Sequence, residues 1–250
     1  MAEEKKVALI TGANKGIGLE IARQLGRQGI TVVLGSRDTA KGQAAADALT
    51  GEGIDAHTVK LEVTDADDVA ALPAFFADKF GRLDILVNNA GVLLEYEGVT
   101  PDQFQGASSM IVTPDTLRRT YDANVIAPYF LTEALLPLLK AAPAARVVHQ
   151  SSILGSLTIN GSGQTPMEYM LPAYNSSKAA LNMLAVIQAA RLKDTPVKVN
   201  IAHPGSVKTD MNPGGDLSLE EGAKTAVTLA TLPDDGPIGG YFHLGEILPW

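Results

Sequence analysis

Short runs of valine, isoleucine and leucine alternate along the chain with longer stretches in which apolar residues recur every third or fourth position. The short runs predict buried strands and the longer ones amphipathic helices. Strands are predicted at Lys6–Thr11, Thr31–Ser36, His57–Val63, Leu83–Val87, Arg146–Gln150, Val197–Ala202 and Gly240–Leu244. Helices are predicted over Gly16–Gln28, Thr39–Leu49, Asp65–Phe80, Asp115–Leu139, Ala173–Leu192 and Leu219–Ala230. Gly29 and Gly81 stand where a left-handed residue closes a helix, and Thr64 or Asp65 can cap the third helix. Glu95 to Pro114 reads as a polar surface excursion. The stretch from Gly155 to Pro166 and that from Pro204 to Asp216 read as loops rich in glycine, proline and asparagine. No repeat, linker or low-complexity tract interrupts the alternation, which predicts one α/β domain over residues 1–250.

The first strand runs into TGANKGIG, Thr11 to Gly18, and then directly into a helix. Strand, glycine turn and helix open a βαβ unit. Backbone N–H groups at such a helix mouth, with the positive helix end, can hold a pyrophosphate. Gly12, Asn14, Lys15, Gly16, Ile17 and Gly18 are therefore candidate dinucleotide ligands; the bland alternative is a turn whose glycines serve packing alone. With this turn, the fold predicted is a Rossmann-type doubly wound parallel sheet of about seven strands, helices on both faces and the ligand past the strands' carboxyl ends. The fourth strand ends in NNAG. Asn89, Ala90 and Gly91 could offer backbone to a flat ligand or simply make a turn.

Composition narrows the partners. Apolar residues make up 46% of the chain and aromatics 5%, so the core is expected to be alanine, valine, leucine and isoleucine. A formal charge of −8, with no basic run longer than two, argues against nucleic acid or an anionic membrane as partner. There is no cysteine, hence no disulfide and no thiolate nucleophile or metal ligand. His57, His149, His203 and His243 lack metal-ligand spacing, so no metal is expected. No apolar run approaches the ~20 residues of a membrane span. MAEEKK carries acids and leads straight into the first strand, so a cytoplasmic protein without a signal peptide is expected.

Tyr174 and Lys178, in LPAYNSSKAALN, lie four apart at the start of a predicted helix and so on one face. A cation beside a phenol favours the phenolate and makes the tyrosine a usable acid or base. Alone, the pair would read as a solvated lysine beside a core tyrosine. Ser151 and Ser152 end the fifth strand at the same face as the glycine turn, and this company changes the reading.

TGANKGIG, NNAG, Ser152, the Tyr174-x-x-x-Lys178 pair and PGSVKT (Pro204 to Thr209), in that order, resemble the short-chain dehydrogenase/reductase family. TGANKGIGLEIARQL and SRDTAKGQAA are similar to its monomeric carbonyl-reductase branch. The resemblance implies a catalytic set of Asn124, Ser152, Tyr174 and Lys178. Tyr174 would donate a proton to a substrate carbonyl and Ser152 would hold its oxygen. Lys178 would bind the nicotinamide ribose and lower the tyrosine's pKa, and Asn124 would bend its helix and hold a relay water. Pro204, Gly205, Val207 and Thr209 would join the cofactor site, with Tyr174 and Lys178 also touching it. The enoyl reductases of this fold space the tyrosine and lysine more widely, so C=O reduction is expected over C=C.

An NAD site places an acid at the end of the second strand. Ser36 and Arg37 stand there, with Lys15 nearby in the turn. A hydroxyl and cations suit a 2′-phosphate, so NADPH/NADP+ is the expected cofactor. The counter-reading takes Asp38 as the ribose acid, though Asp38 also fits a helix cap. Glu62 and Val63 occupy the place beside the adenine, the glutamate being a departure from the family's usual Asp or Asn. Leu94, Leu154, Tyr169, Met170 and Met211 are candidate pocket residues for an apolar or aromatic small-molecule carbonyl. The alternatives are an NAD-dependent secondary-alcohol dehydrogenase and a dinucleotide-binding sensor without turnover. The partial insertion before Tyr174 leans toward a monomer.

Overall fold

The computed structural model describes residues 5–100, 103, 106–163 and 165–250. Among the described residues eight strands form one sheet: β1 (Val7–Thr11), β2 (Thr31–Ser36), β3 (Ala56–Lys60), β4 (Ile85–Asn88), β5 (Ala145–Gln150), β6 (Val197–Ala202), β7 (Tyr241–His243) and β8 (Glu246–Ile247). Their order is β3-β2-β1-β4-β5-β6-β7-β8, so the winding reverses between β1 and β4. Every pairing is parallel except that of β7 with β8. Sequence pattern misses β8 because its hairpin turn is Leu244-Gly245, not Asn-Gly. Both turn residues have positive φ, 47° and 90°, as a two-residue turn of the hairpin hand requires.

The helices are α1 (Gly16–Gly26), α2 (Thr39–Gly51), α3 (Ala66–Phe80), α4 (Pro114–Tyr121), α5 (Ala127–Ala141), α6 (Leu157–Gly161), α7 (Pro172–Leu192) and α8 (Leu219–Ala230). They cover both faces, and the strands sort their side chains between two cores with period two. Val7, Leu9, Val33, Leu86 and Val147 pack with Leu72 and Phe76 of α3, Leu131 and Leu135 of α5, and Ala185 and Ala189 of α7. Ala8, Ile10, Val32, Leu34, Ile85 and Val148 pack with Ile21 and Leu25 of α1, Leu49 of α2, and Ala223 and Ala226 of α8.

Local chemistry explains where elements differ from expectation. The strand expected to reach Val63 ends at Lys60, because Asp68 Oδ2 takes the Glu62 N–H at 2.8 Å. Asp65 caps α3, accepting from Asp67 N and Asp68 N, and Gly81 closes it in the left-handed conformation. The helix expected over Asp115–Leu139 is interrupted by a π-helical turn at Asp122–Ile126. Pro128 at the start of α5 has no N–H to return to the carbonyl of Asn124, which favours a wider turn there. The loop expected after β5 contains the short α6. Glu95, expected on a surface excursion, is fully buried at 0% exposure. Phe130 and Met183, on α5 and α7, remain 61% and 60% exposed, so the segment before Tyr174 leaves those side chains uncovered.

Phe76 lies at the centre of the first core with no exposure. Phe76→Ala is expected to cost about 3–5 kcal/mol, read as a lower urea midpoint at unchanged slope.

Candidate active site

The glycine turn is fixed from below by one hydroxyl. Thr11, at the end of β1, accepts from Asn89 N at 3.0 Å and Ala90 N at 2.9 Å. Asn89 returns the contact, its side-chain amide donating to Thr11 O at 2.9 Å. The two candidate loops therefore form one body across the switch between β1 and β4. Gly12 and Gly16 have φ of 62° and 60°, which side chains rarely tolerate. At Gly18 a Cβ would lie 2.5 Å from Asn89 Nδ2 and 2.6 Å from Gly12 O. These glycines are thus needed by the backbone itself and by its packing. Lys15 precedes α1 without a side-chain cap, and the first turn of α1 carries no acid. This end of the helix suits a pyrophosphate by the chemistry of its donors.

Asn124, Ser152, Tyr174 and Lys178 come together at the carboxyl end of β5. Asn124, in the π-helical turn, clamps the chain after β4: its Oδ1 accepts from Val92 N at 2.8 Å and its Nδ2 donates to Val92 O at 2.9 Å. The same Nδ2 donates to Ser177 Oγ at 3.1 Å. A Cβ on Gly91 would lie 3.1 Å from Asn124 Oδ1 and 3.5 Å from Lys178 Nζ, so that glycine sits between them. Ser152, whose Oγ accepts from Leu154 N at 3.3 Å, acts on the Tyr174 phenol and favours its ionised form. Ser151 is turned elsewhere, donating to Asn182 Oδ1 at 2.6 Å. Of the two serines, Ser151 is thus engaged away from the phenol.

Lys178 Nζ lies 5.5 Å from the centroid of the Tyr174 ring and donates to Gln150 O at 3.0 Å. Burial pushes the ammonium down to about 8. Burial pushes the Tyr174 phenol up to about 12, Ser152 opposes this, and the Glu95 charge adds to it. The lowering of the phenol by Lys178, expected from their spacing, does not hold here: the phenol stands above its ordinary value because desolvation dominates, and only Ser152 acts to lower it. The phenol therefore stays protonated across the neutral range.

At the end of β2 the Ser36 hydroxyl is buried and donates to Asp38 O at 2.8 Å. Asp38 caps α2, accepting from Lys41 N at 3.0 Å, which supports the cap over the ribose-acid reading. Arg37 is exposed, 3.8 Å from Glu62 Oε2. Lys15 reaches Asp210 Oδ2 at 2.5 Å across the chain after β6. Both candidate phosphate-binding cations thus have exposed carboxylate partners. Val63 is half-buried against the first core.

The segment after β6 turns at Gly205 with φ 88°. Val207 is buried and bridges to Leu217, while Thr209 Oγ1 accepts from Asn212 N at 3.1 Å. His203 ties this segment to the chain after Ser152: its Nδ1 accepts from Ile153 N at 3.2 Å and Gly205 N at 3.4 Å. Its ring lies 4.9 Å from that of His243. His149 is buried between Asn88 and Gln188. Among the described residues no histidine–carboxylate cluster could hold a metal. Of the candidate pocket residues, Leu94, Leu154 and Met170 are half-buried, and Tyr169 and Met211 are 52% and 47% exposed. Sequence reading assigned no site role to Thr11, His203 and Asp210, and took Glu95 only as part of a candidate substrate wall, Val92 to Tyr96. Glu95 carried a weak signal, a lone acid in the apolar run VLLEY.

Residues 6–216 match the family model described as short chain dehydrogenase. The chain is 34% identical to (−)-isopiperitenone reductase of Mentha piperita, over 99% of each. It is 32% identical to carbonyl reductase [NADPH] 1 of Sus scrofa, covering 100% of this chain and 96% of that one. Among solved structures, NADPH-bound carbonyl reductase from chicken fatty liver superposes with a TM-score of 0.82 at 27% identity, covering 99% of this chain and 100% of that one. Among the described residues no helix is long and apolar enough to cross a membrane.

Burial holds His149 down to about 4 and, together with the neighbouring His243, His203 down to about 3. Unfolded, both take up protons near 6.5. The unfolded chain therefore binds more protons below that point, and stability is lost as pH falls from about 6.5 toward 4. Urea midpoints at pH 7 and pH 4.5 are expected to show this loss, and His203→Asn is expected to shrink it.

Proposed function

The chain is an oxidoreductase that belongs to the short-chain dehydrogenase family, and we propose that it is an NADPH-dependent reductase of ketones or aldehydes. The observation that carries this reading is the meeting of Ser152, Tyr174 and Lys178 past the carboxyl end of β5, with Lys178 Nζ 5.5 Å from the Tyr174 ring centroid and held on Gln150 O at 3.0 Å, and with the phenol pushed up to about 12. Proton donation to a carbonyl oxygen needs the acid form of the tyrosine, and burial maintains it. Tyr174 donates its proton to the oxygen. The Ser152 hydroxyl donates a hydrogen bond to the same oxygen and orients it. Lys178, a cation 5.5 Å from the ring centroid, favours the phenolate as the proton leaves. It also binds the nicotinamide ribose. Asn124 fixes Val92 and reaches Ser177, and so holds the wall behind Lys178 on which a relay water would rest. When bound, the nicotinamide supplies the hydride.

The cofactor preference rests on charge. Asp38 is engaged as a helix cap, so β2 ends without a free acid for ribose hydroxyls. Arg37 and Lys15 are exposed cations whose carboxylate partners hold them loosely, since exposed pairs are worth about 0–1 kcal/mol. A 2′-phosphate presents a stronger and bidentate partner. Gly12, Asn14, Gly16, Ile17 and Gly18 hold the pyrophosphate. Glu62, Val63, Asn89, Ala90 and Gly91 border the adenosine and ribose, and Pro204, Gly205, Val207 and Thr209 the nicotinamide end. The relatives named as reductases, one of them a carbonyl reductase [NADPH], support both the direction and the cofactor. Leu94, Leu154, Tyr169, Met170 and Met211 favour a bulky apolar carbonyl over a sugar.

NADPH consumption against a panel of aryl, alicyclic and sugar carbonyls tests the reading. Tyr174→Phe is expected to lower kcat/KM by about 10²–10⁴, and unchanged turnover would overturn the mechanism. Arg37→Ala is expected to raise KM for NADPH about tenfold while leaving that for NADH unchanged. Equal loss with both cofactors would remove Arg37 from the phosphate site.

A further inference from the structure

Glu95 is a carboxylate with no exposure, in the chain that leaves β4. Its Oε1 accepts from Tyr174 N at 2.6 Å, and its Oε2 has no hydrogen-bond partner. The backbone around it is held on both sides. Its own carbonyl accepts from Ile111 N at 2.7 Å, and Asn124 clamps Val92 three residues earlier.

The contact answers a deficit in α7. Leu171 precedes that helix and offers no side-chain cap, and Pro172 has no N–H. The first free donors of the helix are then Ala173 and Tyr174, and a helix end buried without partners for them is costly. Glu95 supplies the missing acceptor from 79 residues away in sequence. A negative group at a helix N-terminus is favourable. Capping by itself, however, needs only a neutral oxygen, and a buried carboxylate with one oxygen unpartnered is an expensive way to obtain it. The excess is explained if the charge itself serves the reaction.

We propose that Glu95 is a positioning residue for the reduction: it caps the helix that carries Tyr174 and Lys178, and sets the electrostatic surroundings in which Tyr174 gives up its proton. This rests on the assignment of Tyr174 as proton donor. The groups facing Tyr174 come from four elements: Glu95 from the chain after β4, Ser152 from that after β5, Lys178 from α7 itself and Tyr241 from β7. Of these, Glu95 contributes the negative charge that favours the protonated phenol. It opposes Lys178, so the two set the balance between holding the proton and releasing it.

The test uses the full chain. In an uncapped first turn the Tyr174 amide exchanges freely. Here it is expected to exchange on the order of a hundredfold more slowly, followed by NMR without cofactor or substrate. Glu95→Gln keeps an acceptor oxygen and removes the charge. It is expected to retain slow amide exchange and to move the basic limb of the kcat–pH profile down by about one unit. Glu95→Ala is expected to lose the amide protection, which Glu95→Gln restores. A basic limb in Glu95→Gln that superimposes on the parent's would overturn the proposal. So would a freely exchanging Tyr174 amide in the parent, a measurement that needs no variant to fold. Full activity in Tyr174→Phe would instead remove the reductase mechanism, so the two failures are distinct.

Discussion

Two backbone N–H groups at the end of β4 converge on one buried hydroxyl at the end of β1. That Thr11 contact joins the strands between which the sheet reverses its winding. A parallel sheet leaves a crevice at that point, because the chains leave neighbouring strands toward opposite faces. Without a link, the glycine turn and the chain after β4 would be independent loops on either side of the crevice. With it, they share a floor. The crowding of Gly18 against Asn89 has the same origin: the helix start is pressed onto the amide that completes the link.

From this floor the order extends outward through side chains that each hold two segments. Asn124 occupies the π-helical turn and grips both the N–H and the carbonyl of Val92. Its third bond reaches Ser177 in α7. Glu95, three residues beyond Val92, takes the N–H of Tyr174. The helix bearing Tyr174 and Lys178 is therefore registered against the chain after β4 at two heights, one turn apart. Lys178 is fixed from the other side by the Gln150 carbonyl at the end of β5. Ser152, Tyr174 and Lys178 are placed by rigid strand ends and by buried polar bonds, which tolerate little displacement. The segments proposed to border a substrate are tied less firmly: Tyr169 and Met211 are half exposed.

This difference explains what was legible in the sequence. Strands buried on both faces are continuous apolar runs, so β2 and β6 could be delimited to the residue. The proposed catalytic group came from the resemblance of its motifs to the short-chain dehydrogenase/reductase family; of its members only Tyr174 and Lys178 carried a spacing of their own. Three features could not be read from the residues themselves, for separate physical reasons, although the family resemblance implied a bend at Asn124. The break at Asn124 depends on a proline four residues on and on a partner loop, neither of which alters the apolar period. The eighth strand depends on a leucine accepting a positive φ. The burial of Glu95 is invisible because its partner is a backbone N–H in a distant helix, and side-chain type alone does not show an uncapped helix end. The opposing pKa effects at Tyr174 were also out of reach. Spacing shows that a lysine stands beside the phenol, but the sign of the result depends on how much water burial removes.

The electrostatics of the cleft follow the same logic on a larger scale. A chain of net charge −8 must gather cations locally if it is to hold an anionic dinucleotide. It does so at the glycine turn and at the end of β2, where Lys15 and Arg37 stand. Each is matched with a carboxylate, Asp210 and Glu62, that is itself partly in water. Such pairs are weak because solvent screens them, and they are easily exchanged for a better partner. Inside the site the reverse holds. Glu95 and Lys178 are removed from water, their effects on Tyr174 are unscreened, and neither can be lost without leaving buried groups unmatched. The chain thus places exchangeable charge at the glycine turn and the end of β2, and fixed charge around Tyr174.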